Sequence, residues 1–278
     1  DSDSDSDSDQ TPYTHYPTRV GADLLHQQGI RGQGITVAVL DTGIWSSHPH
    51  LHRNTDGEER LLAQFDTGAE TASAVDHNGH GTHVASIILS SDQPDDDDGR
   101  YNGIAPDADL VAVKAFDEDG HGTYADVILG LDWLIAHREA YGIRILNLSF
   151  SAPAVSLYWQ DPLNQAVMAA WQAGIVVLTS AGNTGPQPMT VGVPGNLPYV
   201  ITVGAMSDAQ TPGDPSDDYL TEFSAAGPTF DAFVKPELVA PGGHMLGLMR
   251  SDHQIAMDHP QHRTGADYFT MSGTSQAV

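Results

Sequence analysis

Four short stretches of this 278-residue chain set reactive side chains among small ones. Asp41 directly follows the apolar run Ile35–Leu40 and precedes Thr42-Gly43. His80 lies in Asp76-His77-Asn78-Gly79-His80-Gly81-Thr82-His83, where a glycine on each side permits close backbone approach. Asn183 sits in Ser180-Ala181-Gly182-Asn183-Thr184-Gly185. Ser275 follows Gly273-Thr274, a turn that can expose a hydroxyl and aim backbone N–H groups at an anion. Each residue alone also has an ordinary reading. An aspartate or asparagine after a strand commonly closes a turn or caps a helix, and His83 is expected to pack within a helix. Asp76, His77, His80 and His83 together are rich enough to consider zinc. The H-E-x-x-H motif is absent, however: Gly81 occupies its glutamate position and the histidines are three residues apart.

These residues fall at the ends of recognisable elements. Ile35–Leu40, Asp109–Phe116, Ile143–Leu148, Ile175–Thr179 and Tyr199–Val203 are short apolar, β-branched runs that predict buried strands. Helical patterns begin near Gly81 and cover about Tyr124–Arg138 and Pro162–Gln172, the last stopped by Gly174. Buried strands alternating with helices predict an α/β fold with a parallel sheet covered on both faces. Ligands bind such sheets beyond the carboxyl ends of the strands. Asp41, Asn147, Ser149 and Asn183 all fall there.

Composition narrows the partners. The chain has 37 acidic against 11 basic residues, a net charge of −26, so nucleic acid and anionic membranes are not expected partners. Self-repulsion at this density weakens a fold at low salt and is screened at high salt, so adaptation to salinity is expected. There is no cysteine, which excludes disulfides, cysteine–zinc sites and a cysteine nucleophile. No apolar run is long enough to span a membrane. Residues 1–10 open with DSDSDSDSD and are expected to be a disordered acidic linker, leaving 11–278 as the folded domain. Asp92–Gly99, with its Asp95–Asp98 run, and Asp214–Asp218 are expected to be solvated acidic loops, and Asp117–Gly120 a solvated acidic turn.

The segments Val39-Leu40-Asp41-Thr42-Gly43-Ile44, His80-Gly81-Thr82-His83-Val84-Ala85 and Gly273-Thr274-Ser275 together resemble the subtilisin-like serine proteases, the subtilase family. Ser180-Ala181-Gly182-Asn183, Gly103-Ile104-Ala105-Pro106 and Val239-Ala240-Pro241-Gly242 extend the likeness from about residue 20 to the last. The order Asp, His, Ser is that of the family. The resemblance implies a three-layer subtilisin-like fold and a secreted serine endopeptidase. Asp41, His80 and Ser275 would form the triad, and Asn183 and the Ser275 N–H the oxyanion hole. A polypeptide substrate would pair with the segments holding Ser149, Phe150, Ser151 and Gly120. Ser151 and Ala152 stand where relatives usually carry glycine and are expected to narrow the cleft.

No cofactor is expected for the chemistry. Subtilisins often bind structural calcium, but His50 stands where the family commonly supplies an aspartate, so the usual strong site is not expected. Calcium elsewhere stays open. The resemblance further implies an N-terminal pro-domain and a monomer. In the family the serine opens a long helix followed by further structure. A chain ending three residues after Ser275 is therefore expected to be a fragment of a longer subtilase, inactive or poorly folded alone, with too few residues to complete a helical turn. A non-catalytic binding homologue is the competing reading. An esterase of the α/β-hydrolase type would need G-x-S-x-G and the order Ser, Asp, His, and neither is present.

Overall fold

A computed structural model describes residues 11–94, 99–211 and 213–278. The linker 1–10 and the Asp95–Asp98 run lie outside the described residues. The strands are β1 (Thr36–Asp41), β2 (Leu61–Asp66), β3 (Asp109–Lys114), β4 (Ile143–Leu148), β5 (Val176–Ser180), β6 (Ile201–Ser207), β7 (Tyr219–Leu220) and β8 (Leu238–Pro241) in the main sheet. A three-stranded antiparallel sheet holds β9 (Met245–Leu248), β10 (Arg263–Thr264) and β11 (Tyr268–Met271). The helices are α1 (Tyr16–Val20), α2 (Ala22–His26), α3 (Pro49–His52), α4 (His80–Leu89), α5 (Tyr124–His137), α6 (Pro162–Gln172), α7 (Gln254–Asp258) and α8 (Thr274–Ala277).

The main sheet runs β2-β3-β1-β4-β5-β6-β7, with β8 also on β6, and only β7 is antiparallel. Every residue of β1 is buried, as expected for a central strand covered on both faces. Its side chains alternate between two cores. Ala38 and Leu40 pack with Val127, Leu131 and Leu134 of α5 and Val167 of α6, while Val37 and Val39 pack with Val84, Ala85 and Leu89 of α4. The result is the three-layer α/β architecture that the alternating pattern predicts.

Two expectations need correction. The strand predicted from Tyr199 starts at Ile201 and runs on to Ser207, because Pro198 and Tyr199 precede the first residue in register, Ile201 opposite Leu178. Tyr199 is exposed and stacks on Trp171 at 4.9 Å. Asp92 is not solvated. It is buried, accepts the Tyr268 hydroxyl, and its backbone carbonyl accepts the Asn102 N–H at 2.8 Å. The Asp214–Asp218 loop is largely exposed, and Asp214 accepts the Ser216 N–H at 2.9 Å.

Candidate active site

Asp41 ends β1 and is 2% exposed. Its Oδ1 accepts the Thr42 N–H at 2.7 Å and lies 2.7 Å from His80 Nδ1. His80 opens α4, and its N–H donates to Asn78 Oδ1 at 3.1 Å. Asp76, 1% exposed, ties the two together. Its Oδ1 accepts from Thr42 Oγ1 (3.0 Å), Asn78 N–H (3.0 Å) and Gly79 N–H (2.8 Å), and its Oδ2 from the Thr82 N–H (2.9 Å) and hydroxyl (2.6 Å). Thr42 Oγ1 in turn accepts the Gly81 N–H at 2.9 Å. One carboxylate thus bonds both the turn after β1 and the first turn of α4. Close backbone approach completes the join: a Cβ on Gly81 would stand 2.4 Å from Gly43 O.

Burial alone would lower the pKa of His80, but the charge and hydrogen bond of Asp41, helped by Asp76, hold the imidazole above its ordinary value. Burial pushes Asp76 up, and the hydrogen bonds from Thr82 and Gly79 outweigh it, so this carboxyl stays below the usual range. His83 is pushed down to about 4 by burial, and its Nε2 bonds Phe269 O at 3.0 Å, a packed helix residue as expected.

Ser275 lies in α8, a single turn that forms because it starts one residue earlier, at Thr274. The expected lack of a turn there is corrected. The Ser275 hydroxyl donates to Ser149 O at 2.8 Å rather than to His80, whose Nε2 has no hydrogen bond among the described residues. Ser149 Oγ donates back to Ser275 O at 3.0 Å. Asn183, after β5, accepts both the N–H and the hydroxyl of Thr274 on Oδ1 at 2.9 Å each. Its Nδ2 is left as a donor beside Gly273.

A cavity of about 540 Å³ adjoins Ser275 and Asn183. Its walls include Ser151, Gly182, Gly192, Met189 and Phe230, and no ionisable side chain lines it. A Cβ on Gly192 would stand 2.2 Å from Ser151 Oγ, so the Ser151 side chain does fill cleft space. Ala152 instead bonds Val193 through both backbone groups, at 2.9 and 2.8 Å. A second cavity, about 330 Å³, adjoins the Asp41–His80 pair. Asp41, His80, Ser149, Phe150, Gly120 and Ile255 line it.

The structure brings no metal centre to Asp76, His77, His80 and His83: both oxygens of Asp76 are taken by protein donors, and His83 faces Phe269. Asp117, Asp119 and His121 alone among the described residues gather ligand atoms, within 4.8 Å, and all three are exposed. Asp117 Oδ1 accepts the N–H groups of Asp119 and His121, as in a solvated turn. The guanidinium of Arg60, 0% exposed, donates to the carbonyls of His50, Arg53 and Leu89, so oxygens that a cation would want already face a cation. Burial lowers the Arg60 pKa only to about 10.

Sequence reasoning missed the residues that position others. Asp76 was visible only as a member of a ligand-rich cluster. Thr42 and Thr274 lay in plain sight inside Asp41-Thr42-Gly43 and Gly273-Thr274-Ser275. Phe230, Met189 and Ile255 gave no local signal.

A mostly parallel, helix-covered sheet with an Asp–His pair and a serine gathered beyond its strand ends defines a class of α/β protein. Within it this chain belongs to the subtilase family, whose model matches residues 32–278. It is 40% identical over 256 residues to serine protease AprX of Bacillus subtilis (strain 168), covering 90% of this chain and 56% of that protein. It is 34% identical over 231 residues to subtilisin E of the same organism, covering 81% and 54%. Sphericase superposes with a TM-score of 0.69 at 31% identity, covering 88% of this chain and 74% of that one. The chain spans little more than half the length of these two curated relatives. Among the described residues no helix is long and apolar enough to cross a membrane.

Proposed function

We propose that the protein is a serine endopeptidase in which Asp41, His80 and Ser275 act as a catalytic triad on a polypeptide substrate. The observation that carries this reading is the 2.7 Å contact between His80 Nδ1 and Asp41, in a cavity also lined by Ser149, whose carbonyl accepts the Ser275 hydroxyl. A serine hydroxyl is a weak nucleophile and needs an adjacent base. In the reaction Ser275 Oγ leaves Ser149 O, passes its proton to His80 Nε2 and attacks the scissile carbonyl. Such contacts are often loose without substrate and tighten in the complex. Asp41 holds the imidazole in the tautomer that accepts and stabilises its charged form. Asn183 Nδ2, oriented by Thr274, and the Ser275 N–H receive the oxyanion. His80 then returns the proton to the leaving amine, and water releases the acyl group from Ser275 by the same steps.

The subtilases need no cofactor for this chemistry. The larger cavity lacks charged walls and suits an uncharged side chain before the cut. AprX is named a serine protease, which favours the catalytic reading over a binding homologue. Secretion, a pro-domain, a monomeric state and adaptation to salt belong to the same proposal, the last supported by the charge of −26. A fluorophosphonate probe should label the protein and Ser275→Ala should abolish labelling. No labelling of a folded protein would favour the binding homologue instead.

A further inference from the structure

We infer that Ile255, carried on α7, selects the substrate side chain two residues before the cut and favours an aliphatic one; this rests on the endopeptidase reading above. The smaller cavity has three apolar walls, Phe116, Phe150 and Ile255, above Asp41 and His80. The two phenylalanine rings lie 5.1 Å apart, so they form one continuous surface. Ile255 adds the third apolar wall.

The position of Ile255 is fixed by backbone. The Gln254 N–H donates to His77 O at 2.9 Å and the Ile255 N–H to Asn78 O at 3.0 Å. Both acceptors belong to the turn that leads into His80. His253, 0% exposed, packs so tightly on this turn that a Cβ on Gly79 would stand 3.0 Å from its ring nitrogen Nδ1. Ala256 is buried with Met249 and Phe269, and Ile255 itself packs against this cluster, which anchors α7. The wall therefore cannot swing aside without unseating the approach to His80. Asn78 links it onward, donating through Nδ2 to Glu118 O at 2.9 Å, next to the segment that holds Gly120.

An extended substrate presents successive side chains to opposite sides. The residue whose carbonyl reacts fills the larger cavity beside Asn183. Its predecessor, lying along Phe150, turns toward the cavity above His80. Apolar walls favour burial of a leucine or valine there. Asp119 at the rim disfavours an acidic side chain.

The test is kcat/KM on a peptide series that varies only this position among Gly, Val, Leu, Phe and Glu. The unaltered protein should prefer Leu over Gly by about ten-fold or more, the usual scale for apolar discrimination, and should reject Glu. Ile255→Ala should lower the Leu:Gly ratio several-fold and raise Phe relative to Leu. Ile255→Trp should fill the cavity and invert the preference toward Gly. Unchanged ratios in both variants, with fluorophosphonate labelling retained, would overturn the role of Ile255 alone. If Ile255→Ala fails to fold, Ile255→Val decides: a smaller shift in the same direction supports the role and none overturns it. An unaltered protein that neither labels nor cleaves any peptide would instead bring down the endopeptidase reading.

Discussion

The two halves of the site are built differently. On the histidine side, Asp76 and Thr42 close a buried network around Asp41 and His80 in which five donors meet one carboxylate. On the serine side, Ser275 sits in a single helical turn with its hydroxyl on the Ser149 carbonyl, and Thr274 orients the Asn183 amide. The backbone that carries Asp41 and His80 is thus held in place, because moving either the turn after β1 or the first turn of α4 breaks several hydrogen bonds at once. The nucleophile has one bond to exchange. A weak neutral hydrogen bond, worth about 1 kcal/mol net, is a small obstacle to that exchange. Hydrogen bonds are dense around Asp76 and sparse at the Ser275 hydroxyl, the one group that must rotate.

The strongest way to break this comparison is to remove the base. His80→Ala should lower kcat on a peptide substrate by about 10⁶-fold, and Asp41→Asn by about 10⁴-fold, sizes carried over from subtilisin and related triads rather than derived from this geometry. Both should leave the fluorophosphonate site folded, since Ser275 bonds Ser149 and not His80. Equal losses of a few-fold for both would mean that Asp41 and His80 are not working on Ser275.

The serine side is probed by Asn183→Ala. The expected loss in kcat is about 100- to 1,000-fold with KM little changed, again a size taken from subtilisin's own asparagine. Thr274→Val keeps Asn183 but removes the hydroxyl that holds its Oδ1, so a smaller loss in the same parameter is expected. A Thr274→Val loss as large as that of Asn183→Ala would show that the serine half is as tightly preorganised as the histidine half.

The same contrast explains what could be read from the residues alone. The fold was legible because β1, β3 and β4 are predominantly apolar runs and because helical patterns lie between strands, one of them stopped by Gly174. Asp41 and Asn183 stood out in the sequence because they follow strand runs, and His80 and Ser275 because small residues flank them. The weak runs were not. Strand β2 reads Leu61-Leu62-Ala63-Gln64-Phe65-Asp66, half exposed, so its pattern is ambiguous and only pairing with β3 makes it a strand. Asp92 looked solvated from its acidic neighbours, and its burial depends on Tyr268, 176 residues away. Ile255 meets His80 only through tertiary packing. Short-range signals encode elements, while long-range polar partners are fixed by the assembled fold.

Asp76→Asn tests the histidine half more finely. Asp76 supports the raised pKa of His80, so its neutralisation should move the acid limb of kcat/KM to lower pH. The groups facing His80 are otherwise unchanged: Asp41 stays in contact, Asp119 lines the same cavity and His83 is neutral. Activity requires the neutral imidazole and rises with pH through the His80 pKa. The shifted limb therefore leaves the variant relatively more active at mildly acidic pH, even as its maximum falls. The loss of a buried carboxylate that accepts five bonds should also cost about 2–4 kcal/mol of stability. The sign follows from the depressed pKa of Asp76: its contribution is present above the unfolded value of about 3.9 and is lost as pH falls through the folded value. Urea unfolding of the variant at several pH values should show a flatter acid limb than the unaltered protein. A normal pH profile with lowered stability would make Asp76 purely structural.

Salt should act on everything except that network. The charge of −26 arises from 37 acidic residues, and exposed ones such as those in the Asp214–Asp218 loop repel one another through water. Raising ionic strength from 0.1 to 1 M shortens the screening length from about 10 Å to about 3 Å. The expected gain is about 1–2 kcal/mol, a rise in melting temperature of roughly 4 °C. Asp41 and Asp76 are 2% and 1% exposed, and buried pairs are screened far less. The acid limb of kcat/KM should therefore stay nearly fixed over the same salt range while the melting temperature climbs. If the two moved together, surface charge rather than the buried carboxylates would be setting the basicity of His80, and the contrast between a closed histidine half and an open serine half would lose its physical basis.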